Sequence, residues 1–268
     1  MSKVISCWSN KGHQTGVTTH TALLAYMFAK EYKDKTVLAL DMSVNYSELE
    51  LLLNSKHEKG LDFDSLKNKL TSKKLDKAVF CENCAMVEKN FYNLNAASNT
   101  LFDTLNSKEN IKKCLQLIDV AAEIFDIVII DNQAGYSELS NAVNNRADVI
   151  LNFVKQNPLR LEKISEAYRE KIINIINEYS DKKMITPKEL EKEYDLKEAY
   201  MLNYCEEIVS FGNRKALKAI LNENETAKAY LLQFKELFDF LAEKVELKQP
   251  TEKKKGIFTK FFRKGERK

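Results

Sequence analysis

The sequence predicts an α/β fold, a mostly parallel twisted sheet with helices on both faces and a helical C-terminal part. Three observations predict it. Short apolar runs alternate with longer amphipathic stretches through roughly residues 1–160. Gly (7) and Pro (3) are scarce in 268 residues, where average usage would give roughly 19 and 13. That scarcity argues against turn-dense β-sandwiches and collagen-like or proline-rich chains. Hydrophobic residues make up 44 %, enough for a packed core.

The elements follow in order. Val4–Trp8 reads as a buried strand, Ser9–Val17 as a polar loop, and Thr18–Lys30 as a helix with Leu23, Leu24, Met27 and Phe28 inward. Thr36–Leu40 is a second strand that ends at Asp41. Tyr46–Leu53 is helical, Phe91–Leu94 a short strand and Ile111–Ile124 a helix. Phe125–Asp131 is the plainest strand, with Asp148–Val154 another. Strands alternating with helices in this way predict a parallel sheet covered on both faces, with the strands beginning at Val4, Thr36, Phe125 and Asp148 as neighbours. Leu159–Tyr179 is expected to be a long helix, Pro187–Tyr194 a short charged one, Tyr200–Leu202 the last strand, and Asn213–Leu247 helical. Gln249-Pro250 breaks the final helix. Residues 1–248 are therefore expected to form one α/β domain and 249–268 a basic tail.

The net charge of +3 is unevenly spread. Residues 251–268 hold eight Lys/Arg and two Glu, leaving 34 basic and 37 acidic side chains in the rest. An acidic body is a poor surface for nucleic acid, whereas the tail suits an anionic partner. No apolar run reaches the ~20 residues that span a bilayer, and the N-terminus lacks the apolar stretch of a signal peptide. A cytoplasmic location is expected. Cys7, Cys81, Cys84, Cys114 and Cys205 are an odd count and are expected to be free thiols. Cys81-x-x-Cys84 has no second ligand pair to complete a zinc site.

Ligands of open parallel sheets bind beyond the carboxyl ends of the strands. The first strand runs into Asn10-Lys11-Gly12-His13-Gln14-Thr15-Gly16-Val17-Thr18-Thr19 and then a helix. Strand, glycine-containing loop and helix N-terminus together make a phosphate cradle, because backbone N–H groups and the helix dipole both favour an anion. Asp41 and Asp131 close two apolar strands beside it, as residues that orient magnesium commonly do. The loop departs from the G-x-x-x-x-G-K-[ST] template. Gly16 and Thr18 fit, Lys11 takes the first glycine position, and Val17 takes the lysine position. The hydroxyl for magnesium is present and the phosphate-reaching ammonium is absent.

These residues resemble the MinD/ParA family of P-loop ATPases with a deviant Walker A motif, in its TadZ/CpaE-like branch with a degenerate loop. The resemblance spans roughly residues 1–160. Trp8–Gly12 and Gly16–Thr19, followed by Thr21–Ala25, stand for the loop and first helix. Val37–Asp41 stands for the second strand, and Phe125–Asp131 with Asn132–Gly135 resembles the Walker B strand and its turn. Arg146–Ile150 with Gln156 is similar to the next strand. The resemblance implies the Rossmann-like P-loop NTPase form of the fold, and ATP or ADP with magnesium held at Lys11, Gly12, His13, Gln14, Thr15, Gly16, Val17, Thr18 and Thr19. It implies Thr18 and Asp131 at the metal, Asp41 as the catalytic carboxylate, and Asn203 reaching toward the base. It also implies a nucleotide-linked homodimer that recruits a protein partner. Val17 and Ser43 stand where the family has a lysine and an acidic residue, so hydrolysis is expected to be slow or absent.

The tail Lys253–Lys264 has its own pattern. At 100° per residue, Ile257, Phe258, Phe261 and Phe262 fall within about 140° of one another, with Lys260, Arg263 and Lys264 on the other side. One apolar and one basic face suit a helix lying in a membrane interface, and the segment resembles the C-terminal membrane-targeting helix of MinD proteins. Four such apolar residues yield at most about 6–8 kcal/mol, and ordering the segment offsets much of that. Reversible contact with the inner face of the cell membrane is expected. Three functions compete: a membrane-associated positioning factor that binds nucleotide, a non-hydrolysing scaffold, and a DNA-partitioning ATPase. The acidic body and amphipathic tail disfavour the last.

Overall fold

The computed structural model describes residues 2–11, 14–42, 48–57, 61–71, 75–95, 106–157, 159, 161–196, 199–213, 216–221 and 225–247. Gly12, His13, Ser43 and the tail residues Ile257, Phe258, Lys260, Phe261, Phe262, Arg263 and Lys264 lie outside them.

The N-terminal half runs β1 (Lys3–Trp8), α1 (Val17–Glu31), β2 (Val37–Asp41), α2 (Glu48–Leu53), α3 (Phe63–Thr71), α4 (Lys77–Glu82), β3 (Ala85–Glu88), β4 (Phe91–Leu94), α5 (Lys108–Ile124) and β5 (Ile127–Asp131). Then come α6 (Glu138–Arg146), β6 (Val149–Val154), a 3-10 turn at Glu166–Tyr168, β7 (Ile172–Tyr179), α7 (Pro187–Tyr194) and β8 (Tyr200–Asn203). The last helices are α8 (Glu206–Asn213), α9 (Leu217–Ile220) and α10 (Lys228–Lys244).

One eight-stranded sheet has the order β3-β4-β2-β5-β1-β6-β7-β8. Every pairing is parallel except β3 with β4. The four expected neighbours do lie side by side as β2-β5-β1-β6. They read as nearly pure apolar runs because both faces are covered. Ile5 and Cys7 of β1, with Ile127 and Ile129 of β5, face a core shared with α1, α2, α8, α9 and α10. Val4 and Trp8, with Val128 and Ile130, face a second core shared with α3, α4, α5, α6 and α7. Side-chain alternation along each strand thus divides the interior into two layers.

Helix boundaries follow local chemistry. Ser107 caps α5 and Ser137 caps α6 through their hydroxyls. Thr186 and Glu189 form a reciprocal capping box at α7, with Pro187 in the first turn.

Two expectations are corrected. Leu159–Tyr179 is no long helix: among the described residues the chain passes through the short turn at Glu166–Tyr168 into the strand β7. Ile172, Ile173, Ile175 and Ile176 are β-branched and pack on the pleated surface between β6 and β8, which outweighs the helical spacing of the apolar residues before them. Asn213–Leu247 is likewise broken into α9 and α10. The elements α3, α4, β3, α6 and α8 have no counterpart among the sequence-based expectations.

Ile175 is fully buried in the middle of β7. Ile175→Ala should lower unfolding free energy in urea by about 2–5 kcal/mol. A loss below about 1 kcal/mol, as for a surface helix position, would contradict the strand.

Candidate functional site

The site lies at the carboxyl ends of β1, β2 and β5. β1 delivers the chain into the loop, and α1 starts at its far side. Gly16 caps α1 with φ 90°, a left-handed conformation that glycine adopts without strain. A Cβ there would meet Asn177 Nδ2 at 2.5 Å and His20 Nδ1 at 3.0 Å. Gln14 also has positive φ, 60°. Alternating left-handed residues of this kind turn successive backbone N–H groups to one side of a loop.

Three side chains pin this turn from behind. Asn177 of β7 donates its amide to the Thr15 carbonyl at 2.8 Å. His20 Nδ1 lies 2.6 Å from the Gly16 carbonyl, and its Nε2 lies 2.6 Å from the Tyr230 hydroxyl of α10. A carbonyl only accepts, so Nδ1 carries the proton and Nε2 accepts from Tyr230. The ring stacks on Phe153 at 4.7 Å. Burial is the main reason its pKa falls to about 4, so the ring is neutral. Behind the loop, the Asn10 N–H donates to Asn152 Oδ1 (3.1 Å) and Asn152 donates to Asn174 (3.0 Å). These amides cross from β1 through β6 to β7.

On the other side Asp41 and Asp131 are register partners on adjacent parallel strands, which lie about 4.8 Å apart. Both are buried. Burial, and then the charge of Asp41, hold the Asp131 carboxyl well above the usual carboxylate range, while the Thr18 hydroxyl donates to it and opposes the rise. Asp131 Oδ2 and Thr15 Oγ1 are buried with no hydrogen-bond partner. Polar atoms left this way are costly, and here they sit beside a loop shaped for an anion. A cation shared by the two carboxylates would remove their repulsion. Among the described residues no group of three or more His, Cys, Asp or Glu is arranged to hold a metal by itself. Two carboxylates and a threonine hydroxyl suit an ion that keeps water and phosphate ligands, as magnesium does.

The turn after β5 is tied back to β1. Gly135 N–H donates to the Ser9 carbonyl at 2.8 Å. The Trp8 indole N–H donates to the Gly135 carbonyl at 2.9 Å. Tyr136 and Tyr168 pack edge-on against Trp8.

The remaining expected residues are spread around this core. Val17 is partly buried and packs into the apolar layer under α1, so its position carries no cation. Lys11 pairs with Glu162 at 2.9 Å. Thr18 and Thr19 lie in the first turn of α1, and Gln14 is exposed. Asn203 closes β8, separated from β1 by β6 and β7; its N–H donates to Gln233 Oε1 at 3.0 Å. His20 and Asn177 are site residues that the sequence does not single out, Asn177 because its strand has the spacing of a helix. The β-branched run around it is the available signal. All five cysteines are free. Burial pushes the Cys81 and Cys84 thiols up, away from reactivity.

The chain has the ParA/MinD ATPase fold: it is similar to a ParA family ATPase from Chlorobium tepidum TLS, with 19 % identity, a TM-score of 0.70, and 88 % of this chain and 98 % of that one covered. It is also similar to the cell division ATPase MinD of Pyrococcus furiosus (21 % identity, TM-score 0.65, 90 % and 100 % covered). A third likeness is to the septum site-determining protein MinD of Pyrococcus horikoshii OT3, complexed with Mg-ADP (18 % identity, TM-score 0.65, 92 % and 100 % covered). No protein-family model and no curated protein matches the sequence.

His20 gives a test of the loop's support. Its folded pKa lies near 4 against an ordinary 6.5, so the unfolded chain binds more protons between those values. The stability from neutral His20 is complete above pH 6.5 and is lost as pH falls toward 4. The contribution is about 3 kcal/mol. Urea unfolding across that window should show this loss, and His20→Gln should flatten it. Equal slopes in both proteins would remove His20 from the buried network.

Proposed function

We propose that the chain is a ParA/MinD-like nucleotide-binding protein that associates reversibly with a membrane and positions or recruits a partner assembly. The observation that carries the reading is the turn at Gln14–Gly16 leading into α1, beside the buried Asp41–Asp131 pair, with Thr15 Oγ1 and Asp131 Oδ2 unpartnered. Phosphates would rest on the loop, and Thr18 and Asp131 would hold magnesium with Asp41 close by. Bound there, the ion would neutralise phosphate charge. The chain's own groups orient and enclose: Gly16 opens the turn, Asn177 and His20 fix it, and Asn203 is assigned to the base. The Mg-ADP held by the Pyrococcus horikoshii protein supports this cofactor class.

Slow or absent hydrolysis is part of the proposal. Charge stabilisation in the transition state supplies several kcal/mol, and Val17 supplies no charge. A second reading, a scaffold in which nucleotide no longer matters, draws on the same Val17 packing. The TadZ/CpaE-like placement rests on that degenerate loop, and a nucleotide-linked homodimer on the fold. The membrane role rests on the amphipathic pattern of residues 253–264. Among the described residues no helix is long and apolar enough to cross a membrane.

Trp8 is the only tryptophan and reports on the site through Gly135. Its fluorescence should change saturably with ATP or ADP when magnesium is present. Thr18→Ala should weaken the magnesium-dependent part by about tenfold or more, and turnover should stay below about 1 s⁻¹. No saturable change in wild type, together with no binding by calorimetry, would leave the scaffold reading.

For the tail, Phe258→Glu with Phe262→Glu should abolish co-sedimentation with anionic vesicles while thermal unfolding is unchanged. Retained sedimentation would end the membrane assignment.

A further inference from the structure

A cleft of about 460 Å³ opens at the end of α1. Four lysines, Lys30, Lys33, Lys89 and Lys218, line it with one carboxylate, Glu88. That carboxylate is taken by Lys218 at 2.6 Å, and Lys30 donates to the Leu221 carbonyl at 2.7 Å. Among the described residues Lys33 and Lys89 form neither ion pair nor hydrogen bond, and both are exposed. The C-terminal carbonyls of a helix would ordinarily repel an anion here. The Asn90 amide offsets part of this, with its nitrogen within reach of the Ala29 carbonyl in the last turn of α1 (3.1 Å) and of the carbonyls of Tyr32 (3.3 Å) and Lys35 (2.9 Å) just beyond it. A concave surface with surplus cations, on a body that is acidic overall, is built to receive negative charge.

The cleft's position in the fold indicates the source of that charge. Asn90 immediately precedes β4, and its carbonyl accepts from Val37 N–H at the start of β2 (2.9 Å). The cleft therefore lies at the amino ends of the strands, opposite the loop. α10 finishes at that same end: Glu246 pairs with Lys3, the first residue of β1, at 3.6 Å. β4 and β1 are three strand spacings apart, or about 14 Å. Leu247, the last described residue, thus follows Glu246 at the same end of the sheet as the lysine cleft.

We infer that this cleft docks the phosphate headgroups of an anionic bilayer, acting beside the tail as a second membrane contact. The inference rests on the tail reading, which brings this end of the body to the surface. It adds that the body itself, and not the tail alone, touches the bilayer.

The test uses the full chain and vesicles of phosphatidylglycerol with phosphatidylcholine, against phosphatidylcholine alone. Each lysine near an anionic leaflet contributes roughly fivefold in affinity. Lys33→Glu with Lys89→Glu should therefore weaken binding to the anionic vesicles by about tenfold or more, while Lys33→Arg with Lys89→Arg keeps it. Both positions are exposed, so thermal unfolding should stay unchanged. If the charge-reversed protein binds as wild type while Phe258→Glu with Phe262→Glu does not, the cleft is wrong and the tail reading stands. If charge reversal weakens binding and the phenylalanine variant binds normally, the cleft stands and the tail reading fails. Wild type that ignores the vesicles and instead binds a short DNA duplex through Lys33 and Lys89 overturns the lipid assignment. So does displacement from the vesicles by low-millimolar inorganic phosphate, which would identify a soluble anion as the occupant.

Discussion

The parallel pairing of β1 with β5 is the contact on which the rest depends. It sets Ser6 beside Ile130 and Cys7 beside Asp131, so that the loop after β1 and the carboxylate closing β5 emerge together. β2 pairs with the other side of β5 and brings Asp41 level with Asp131. Parallel strands carry all their carboxyl ends to one edge, and only covering helices on both faces make such strands stable. The two apolar layers therefore do more than hold the sheet. They exclude water from its edge, and that exclusion raises the Asp131 carboxyl above the usual carboxylate range and makes the pair receptive to a cation.

How much of this is legible in the sequence depends on how locally each feature is encoded. β1, β2, β5 and β6 are buried on both faces, so their composition alone marks them. Asp41 and Asp131 stand out because burying a carboxylate at the end of an apolar run is costly and calls for a compensating charge. Thr18 and Gly16 are legible from their spacing. β7 is not, because its isoleucines follow a stretch with helical spacing and only the flanking strands decide between the two conformations. Asn177 is hidden with it. It meets Thr15 across 162 residues of chain, and no local pattern announces such a contact. His20 sits inside α1, where a lone histidine on a buried face carries no signal until Tyr230 is known to lie opposite.

The proposed separation of binding from turnover rests on how the loop is built. Its backbone shape is fixed by Gly16, Asn177 and His20, none of which is charged in the folded state. Its sequence supplies the hydroxyl at Thr18 but an aliphatic side chain at Val17, and that side chain is enlisted by the core. A cradle made of backbone dipoles attracts phosphate in its ground state. Acceleration needs interactions that grow in the transition state, and a valine offers none.

Gly16 and Asn177 also constrain how this protein can vary. The amide nitrogen of Asn177 occupies the space where a side chain at residue 16 would begin, 2.5 Å from its first carbon. Neither position can drift alone. Enlarging residue 16 evicts the amide and frees the Thr15 carbonyl, and replacing the amide leaves that carbonyl without its donor. Across diverging sequences the two should behave as a single inherited character, exchanged together or not at all, although one belongs to the first loop of the chain and the other to its seventh strand.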